Sequence, residues 1–229
     1  MEDFQAIIFD MDGVLVDSEP LFLQAINRVL ATEGVSPISE EENERFLIGT
    51  TVEETWRRLK EGCLNEVRAL PRPIAAYIQR YDTVVRQVMR EELAPQPGVT
   101  RLLEECVRRG LPKAVASSSL RSWVNLKLEA IQLQKAFDVV LGGDDVANGK
   151  PAPDIYRLAA QCLGLPPQKC IAIEDSPIGI ASAVGSGAYT IAVRTYSTRN
   201  LDISAAHAVV DSLEEFDLSL LAKGKNWTE

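Results

Sequence analysis

The sequence predicts an α/β protein built on a doubly wound parallel sheet, with a small helical segment inserted after the first strand. Three observations predict it. Short runs that are apolar on both faces recur along the chain, as strands covered by helices on each side of a sheet require. Amphipathic segments at helical spacing alternate with those runs. The stretch from Ser18 to Glu92 breaks the alternation, holding helical patterns but no strand.

AIIFDM, from Ala6 to Met11, reads as the first strand, because Ile-Ile-Phe is apolar on both faces and acidic residues end it. LFLQAINRVLATEG, VEETWRRLKEG and IAAYIQRYDTVVRQVMREEL supply the inserted helices, and Pro95 and Pro97 mark the return to alternation. In VTRLLEECVRRG, residues Val99, Leu102, Leu103, Cys106 and Val107 repeat at helical spacing, with Gly110 where a C-terminal cap belongs. KAVASS from Lys113 is the next strand, followed by a helix over Leu120 to Leu133 with Ser119 as N-cap. Further strands begin at Phe137, Lys169, Tyr189 and His207, and further helices are expected over Asp154 to Leu163, Ile178 to Ser186 and Leu213 to Leu221. An insertion after the first strand brings its tips beside the carboxyl ends of the strands, where open α/β sheets bind ligands.

A chain of 229 residues suits one large domain, or one domain carrying a smaller insertion, and buries enough surface to need no disulfide or metal staple. The 46% hydrophobic and 25% charged residues are globular proportions and set aside disorder, collagen and coiled coil. Against 24 Lys and Arg stand 33 Asp and Glu, a net charge of −9. Without a long basic run, such a chain is a poor partner for nucleic acid or anionic membrane, although a local basic pocket can still take a small phosphate. The single histidine, His207, excludes multi-histidine zinc or iron sites, and any Ser-His-Asp triad must run through it. It reads as a non-catalytic residue of a short strand. Cys63, Cys106, Cys162 and Cys170 show no C-x-x-C pairing and read as reduced thiols. MEDFQ lacks the basic start of a signal peptide, and no window approaches eighteen uninterrupted apolar residues, so a soluble, cytoplasmic protein is expected.

The chemistry collects at strand ends. The first strand closes in FDMDGVLVDSEP, where a turn at Asp12-Gly13 points Asp10 and Asp12 into the space above the strand. Two carboxylates so close repel unless a cation or a shared proton intervenes, which suggests a Mg²⁺ site or acid–base work; a strand-ending acidic turn is the plainer alternative. KAVASSS sets Ser117, Ser118 and Ser119 between strand and helix, where hydroxyls and backbone N–H groups can hold a phosphate or merely cap the helix. NGKPAPD carries Lys150 on a loop fixed by prolines, and CIAIED ends in Glu174 and Asp175. Acid pair, serine, lysine and acid pair in this order are hard to obtain together as independent coincidences.

With FDMDGVLVDSEP, ASSS, GKPAPDIY and IEDSPIGIASAVGSGA, the chain resembles the haloacid dehalogenase-like hydrolase superfamily, in its subgroup of β-phosphoglucomutases and small sugar phosphatases. The resemblance implies a Rossmann-like catalytic core over residues 1–17 and 93–229 and a helical cap over 18–92. It implies that Asp10 is the nucleophile that becomes an aspartyl phosphate and that Asp12 is the general acid and base. Ser117, with the backbone N–H of Ser118, would bind phosphoryl oxygens, and Lys150 would neutralise nucleophile and phosphate. Mg²⁺ would be held by Asp10, Asp175 and the backbone carbonyl of Asp12, with Glu174 adjacent or behind them.

Within that superfamily Asp12 argues against dehalogenation, which needs no proton donor for a leaving alcohol, and against phosphonate cleavage, for which Lys60 would otherwise be available. Mutases of the subgroup carry a histidine in the linker after the first motif and an arginine in the first cap loop. Here SEPLFLQAI has no histidine, and IGTTVEETW precedes Arg57 and Arg58. Hydrolysis is therefore expected over a β-phosphoglucomutase-like reaction, and both over a phospho-accepting signalling module, whose acceptor aspartate would lie on the third strand of a shorter chain. The expected activity is Mg²⁺-dependent hydrolysis of small phosphate monoesters, sugar or polyol phosphates above all, by a monomer or weak dimer. Arg45, Thr50, Thr51, Arg57 and Arg80 are the cap residues available to touch substrate.

Overall fold

The computed structural model describes residues 4–47, 50–62, 70–196 and 198–222. The chain divides into two compact units, one of Met1–Asp17 with Ala94–Glu229 and one of Ser18–Leu93.

The first unit is organised by six strands: β1 (Ala6–Phe9), β2 (Lys113–Ala116), β3 (Val139–Leu141), β4 (Cys170–Glu174), β5 (Tyr189–Val193) and β6 (Ala208–Val210). They form one sheet in the order β3-β2-β1-β4-β5-β6, and every pairing is parallel. All residues of β1, β2 and β4 are buried, as strands covered on both faces must be. The strand order reverses direction between β1 and β4, the place where open α/β sheets form their crevice. Register fixes what meets there: Phe9 pairs with Ile173 and with Val115, so the residues that follow these strands emerge side by side.

The second unit is helical: α1 (Glu19–Ala31), α2 (Glu40–Phe46), α3 (Val52–Glu61) and α4 (Ile74–Glu92). Its core comprises Val29 and Leu30 of α1, Trp56 and Leu59 of α3, and Tyr77, Val85 and Met89 of α4, all buried. Trp56 stacks on Tyr77 at 5.3 Å. Arg28 ties α1 to α4 through Glu91 and Glu92, half-exposed pairs that add little to stability. The helix α2 was not anticipated. Its signal was present as S-x-x-E: Ser39 accepts from the Glu42 N–H while the Glu42 carboxylate accepts from the Ser39 N–H, a capping box.

Four longer helices flank the sheet of the first unit: α5 (Val99–Arg109), α6 (Arg121–Ala130), α7 (Asp154–Cys162) and α8 (Pro177–Ser186). As expected, α5 ends on Gly110, at φ 65°. Two expectations need correction. The helix after β2 is shorter than Leu120 to Leu133, because Gln132 turns into the left-handed region at φ 59°. Its N-cap residue is Leu120, without a side-chain cap, and the Ser119 hydroxyl is directed elsewhere. The segment Leu213–Leu221 is not one helix but two 3₁₀ turns, Leu213–Glu215 and Leu218–Leu220. Ser212 and Asp217 accept from the N–H groups of Glu214 and Ser219, local bonds that compete with a continuous helical ladder. No helix of the described residues is long and apolar enough to cross a membrane.

Candidate active site

Asp10 leaves β1 with its N–H bonded to the Ile173 carbonyl at 2.9 Å, which sets it beside the end of β4. There Glu174 ends the strand and Asp175 follows it. Asp10, Glu174 and Asp175 are all buried, and each offers a carboxylate oxygen within 4.8 Å of the others. The turn after Asp10 has no room for a side chain at Gly13: its φ is 86°, and a Cβ there would stand 2.0 Å from Asp175 Oδ2. A glycine is thus required for both conformation and close approach.

Lys150 enters from the loop before α7 and supplies the counter-charge. Its Nζ donates to Asp10 Oδ1 at 2.6 Å, Glu174 Oε1 at 2.5 Å and the Ala116 carbonyl at 3.0 Å. Burial alone would lower its pKa, but Asp10 and Glu174 outweigh that and hold it above the ordinary lysine value. The carboxylates move the other way. Burial pushes Asp10 up to about 8 against the pull of Lys150, with Glu174 adding repulsion. Burial and Glu174 push Asp175 up to about 7. One ammonium cannot neutralise three ionised buried carboxylates, so Asp10 and Asp175 hold their protons more tightly, and a divalent cation would take the place of those protons.

Tyr156, to which the sequence assigns no part, completes this cluster. It sits on α7 against an alanine-rich face of the sheet, with Ala114, Ala116 and Ala172 among its neighbours in the core. Those small side chains leave space for its ring, and its hydroxyl donates to Glu174 Oε1 at 2.7 Å. The other Glu174 oxygen accepts from the Asp175 N–H at 3.2 Å and the Ser176 hydroxyl at 3.3 Å. Both Glu174 oxygens are therefore engaged by protein, whereas Asp175 is held on Oδ2 by the Thr195 hydroxyl at 3.3 Å. A metal ion would find Asp10 and Asp175 more available than Glu174.

Ser117 follows β2, buried, with its N–H bonded to the Leu141 carbonyl at 3.1 Å. Its Oγ accepts from the Ser119 N–H at 3.1 Å, which leaves the hydroxyl hydrogen to point to another acceptor. Ser118 is exposed. Asp12 is not one of the three carboxylates that gather within 4.8 Å, although its charge adds to the upward push on Asp10 and Asp175. Its Oδ1 accepts from Lys127 Nζ at 2.5 Å and its Oδ2 from the Ser119 hydroxyl at 3.3 Å. Neither partnership was foreseen, although a lysine on the apolar stripe of an amphipathic helix was a signal available in the sequence.

His207 lies outside this cluster: its Nδ1 accepts from the Thr190 N–H at 3.0 Å and its ring stacks on Tyr189. Cys106, Cys162 and Cys170 are free thiols; Cys63 falls outside the described residues. Of the residues singled out in the helical segment, Arg57 is paired with Glu54 and Glu61. Thr51 caps α3, Thr50 bonds the Leu47 carbonyl, and Arg45 lies over the Phe46 ring.

Residues 7–193 match a family model described as haloacid dehalogenase-like hydrolase. Protein CbbY of Cereibacter sphaeroides is 34% identical over 217 residues, covering 92% of this chain and 93% of that protein. The phosphorylated carbohydrates phosphatase of Thermotoga maritima is 35% identical over 185 residues, 80% of this chain and 82% of that one. A mutant CbbY from Rhodobacter sphaeroides, solved in complex with xylulose-(1,5)bisphosphate, shares the fold at a TM-score of 0.74 and 33% identity, covering 95% of this chain and 99% of that chain. With a family model across most of its length and relatives above 30% identity over nearly all of it, the chain belongs to the haloacid dehalogenase-like hydrolases.

Proposed function

We propose that the protein is a Mg²⁺-dependent phosphatase that hydrolyses small phosphorylated sugars or polyols through an aspartyl phosphate on Asp10. The observation that carries this reading is the convergence of Asp10, Lys150, Glu174 and Asp175 at the carboxyl ends of β1 and β4. The substrate class rests on relatives: one is a phosphorylated carbohydrates phosphatase, and another was crystallised with a pentulose bisphosphate.

Asp10, Asp175 and the backbone carbonyl of Asp12 would hold Mg²⁺, an all-oxygen set of the kind that ion prefers, with Glu174 behind them. When bound, the ion neutralises charge between nucleophile and phosphate. Two unit charges 4 Å apart repel by about 4 kcal/mol at an effective dielectric of 20, and Lys150 offsets part of the same repulsion. Ser117 and the Ser118 N–H would orient the phosphoryl oxygens. A carboxylate oxygen of Asp10 forms the bond to phosphorus as the ester P–O bond breaks, and Asp12 gives its proton to the departing alkoxide. A water then attacks the phosphorus, Asp12 takes its proton, and the Asp10–phosphorus bond breaks to release phosphate. General acid–base help of this kind is worth about 10²–10⁴-fold. The helical segment 18–92 is assigned the part of a cap over the catalytic core, 1–17 and 93–229, shielding the first step from water. The net charge of −9 disfavours a nucleic-acid or anionic-membrane partner, and the reading includes a cytoplasmic enzyme that is a monomer or weak dimer.

Asp10→Asn should abolish Mg²⁺-dependent phosphate release while circular dichroism shows the fold intact; substantial residual release overturns the nucleophile. A screen over sugar phosphates, phosphoglycolate, phosphogluconate and nucleotides, with glucose 1-phosphate isomerisation assayed in parallel, tests the class. Net isomerisation with little phosphate release would replace hydrolysis by the mutase reaction.

A further inference from the structure

Lys127 occupies a position where its helix should bury an apolar side chain. It shares a stripe with Val124 and Leu128 of α6 and with Ile131 just past the helix end, at the three, four and seven spacing of an inward face, and all three are buried. Its own side chain is 2% exposed. Withdrawing an ammonium from water costs several kcal/mol, and an apolar side chain of similar size is often the more stable choice. Stability is therefore a poor reason for a lysine there.

What the lysine reaches supplies a better one. Its Nζ lies 2.5 Å from Asp12 Oδ1, and from the other side the Ser119 hydroxyl donates to Oδ2 at 3.3 Å. Asp12 itself is 38% exposed in its side chain and sits on the turn that Gly13 makes at φ 86°, so the orientation of its carboxylate depends on the groups it bonds rather than on close packing. Proton transfer tolerates roughly 0.5 Å and 10–20° of misplacement. An ammonium has donors and no acceptor, so it holds the Asp12 carboxylate oxygen by donation alone.

We propose that Lys127, assisted by Ser119, is a positioning residue that holds the Asp12 carboxylate in the orientation from which it exchanges a proton with the leaving oxygen and the hydrolytic water. The inference rests on the phosphatase reading above. The geometry gives each carboxylate oxygen its own holder, one from α6 and one from the loop after β2.

The test is Lys127→Met, which keeps an unbranched stem in the buried slot, assayed with β-glycerol phosphate, a poor leaving group, and p-nitrophenyl phosphate, a good one. The expected result is a fall in kcat of about 10–100-fold on the glycerol ester, with KM within about twofold and a clearly smaller loss on the nitrophenyl ester. The melting temperature should hold or rise. In an Asp12→Asn background the same substitution should cost nothing further. Equal losses on both esters, full additivity with Asp12→Asn, or no loss would each overturn the inference. If Lys127→Met does not fold, Ser119→Ala takes its place with the same assays, and the same outcomes support or overturn the inference. A wild-type enzyme that releases phosphate neither from these esters nor from any member of the screen above would instead overturn the phosphatase reading, and this inference with it.

Discussion

Gly179 stands in the first turn of α8, where alanine is the better helix former by about 1 kcal/mol. Propensity alone would make Gly179→Ala stabilising. Yet a Cβ there would lie 2.0 Å from Glu174 Oε1, and that carboxylate cannot swing away without leaving Lys150 and Tyr156. The substitution should therefore destabilise, by about 1–3 kcal/mol on the scale of overpacked cores, measured from urea midpoints; a gain in stability would mean the carboxylate is less fixed than its bonds imply. The same neighbourhood shows which parts of the site the sequence could disclose. Asp10, Asp12, Ser117, Lys150, Glu174 and Asp175 each sit at or just past the end of a buried strand or on a proline-fixed loop, so local pattern marks them. Tyr156, Lys127 and Ser119 act on partners 18, 115 and 107 positions away. No local pattern encodes such distances, and only the closing of the sheet brings the pairs together.

Elements were legible where periodicity was long and their ends were marked, as in β1 and β4 or in α5 with its terminal Gly110. They failed where side chains compete with the backbone for hydrogen bonds: Ser39 starts the unanticipated α2, and Ser212 and Asp217 break the expected C-terminal helix into turns. Side-chain electrostatics along α5 can be tested separately. Glu105 accepts from Arg108 at 2.5 and 2.7 Å and from Arg109 at 2.5 Å. Arg109 in turn bonds the Leu221 carbonyl. These bonds, that of Arg108 foremost, hold the Glu105 carboxyl down at about 2 from an ordinary 4.5. Because the folded value lies below the unfolded one, the contribution to stability is complete above pH 4.5 and is lost as pH falls toward 2. Glu105→Gln should therefore have a lower urea midpoint than the wild type at pH 7, with the gap closing through that acid window. The gap should be small, since Arg108 is largely exposed and such pairs are screened. A gap that persists unchanged at low pH would assign the loss to packing.

At the scale of the whole chain, the proposed cation would act where the sheet is most central. β1 and β4 are neighbours, the sheet runs outward from them on both sides, and the carboxylates Asp10 and Asp175 follow directly at their ends. An ion bound there bonds only the folded arrangement, so it must stabilise the fold by linkage, by about 2.7 kcal/mol at a hundred times its dissociation constant. Adding MgCl₂ to EDTA-treated protein should raise the melting temperature, and Asp175→Asn should remove most of that rise. The two compact units have separate buried cores, so the effect should also be uneven. Hydrogen exchange should slow in β1 and β4 on adding Mg²⁺ far more than in α1 and α4. Equal protection of both units would mean that they unfold as one, and no change in either would remove Mg²⁺ from the site.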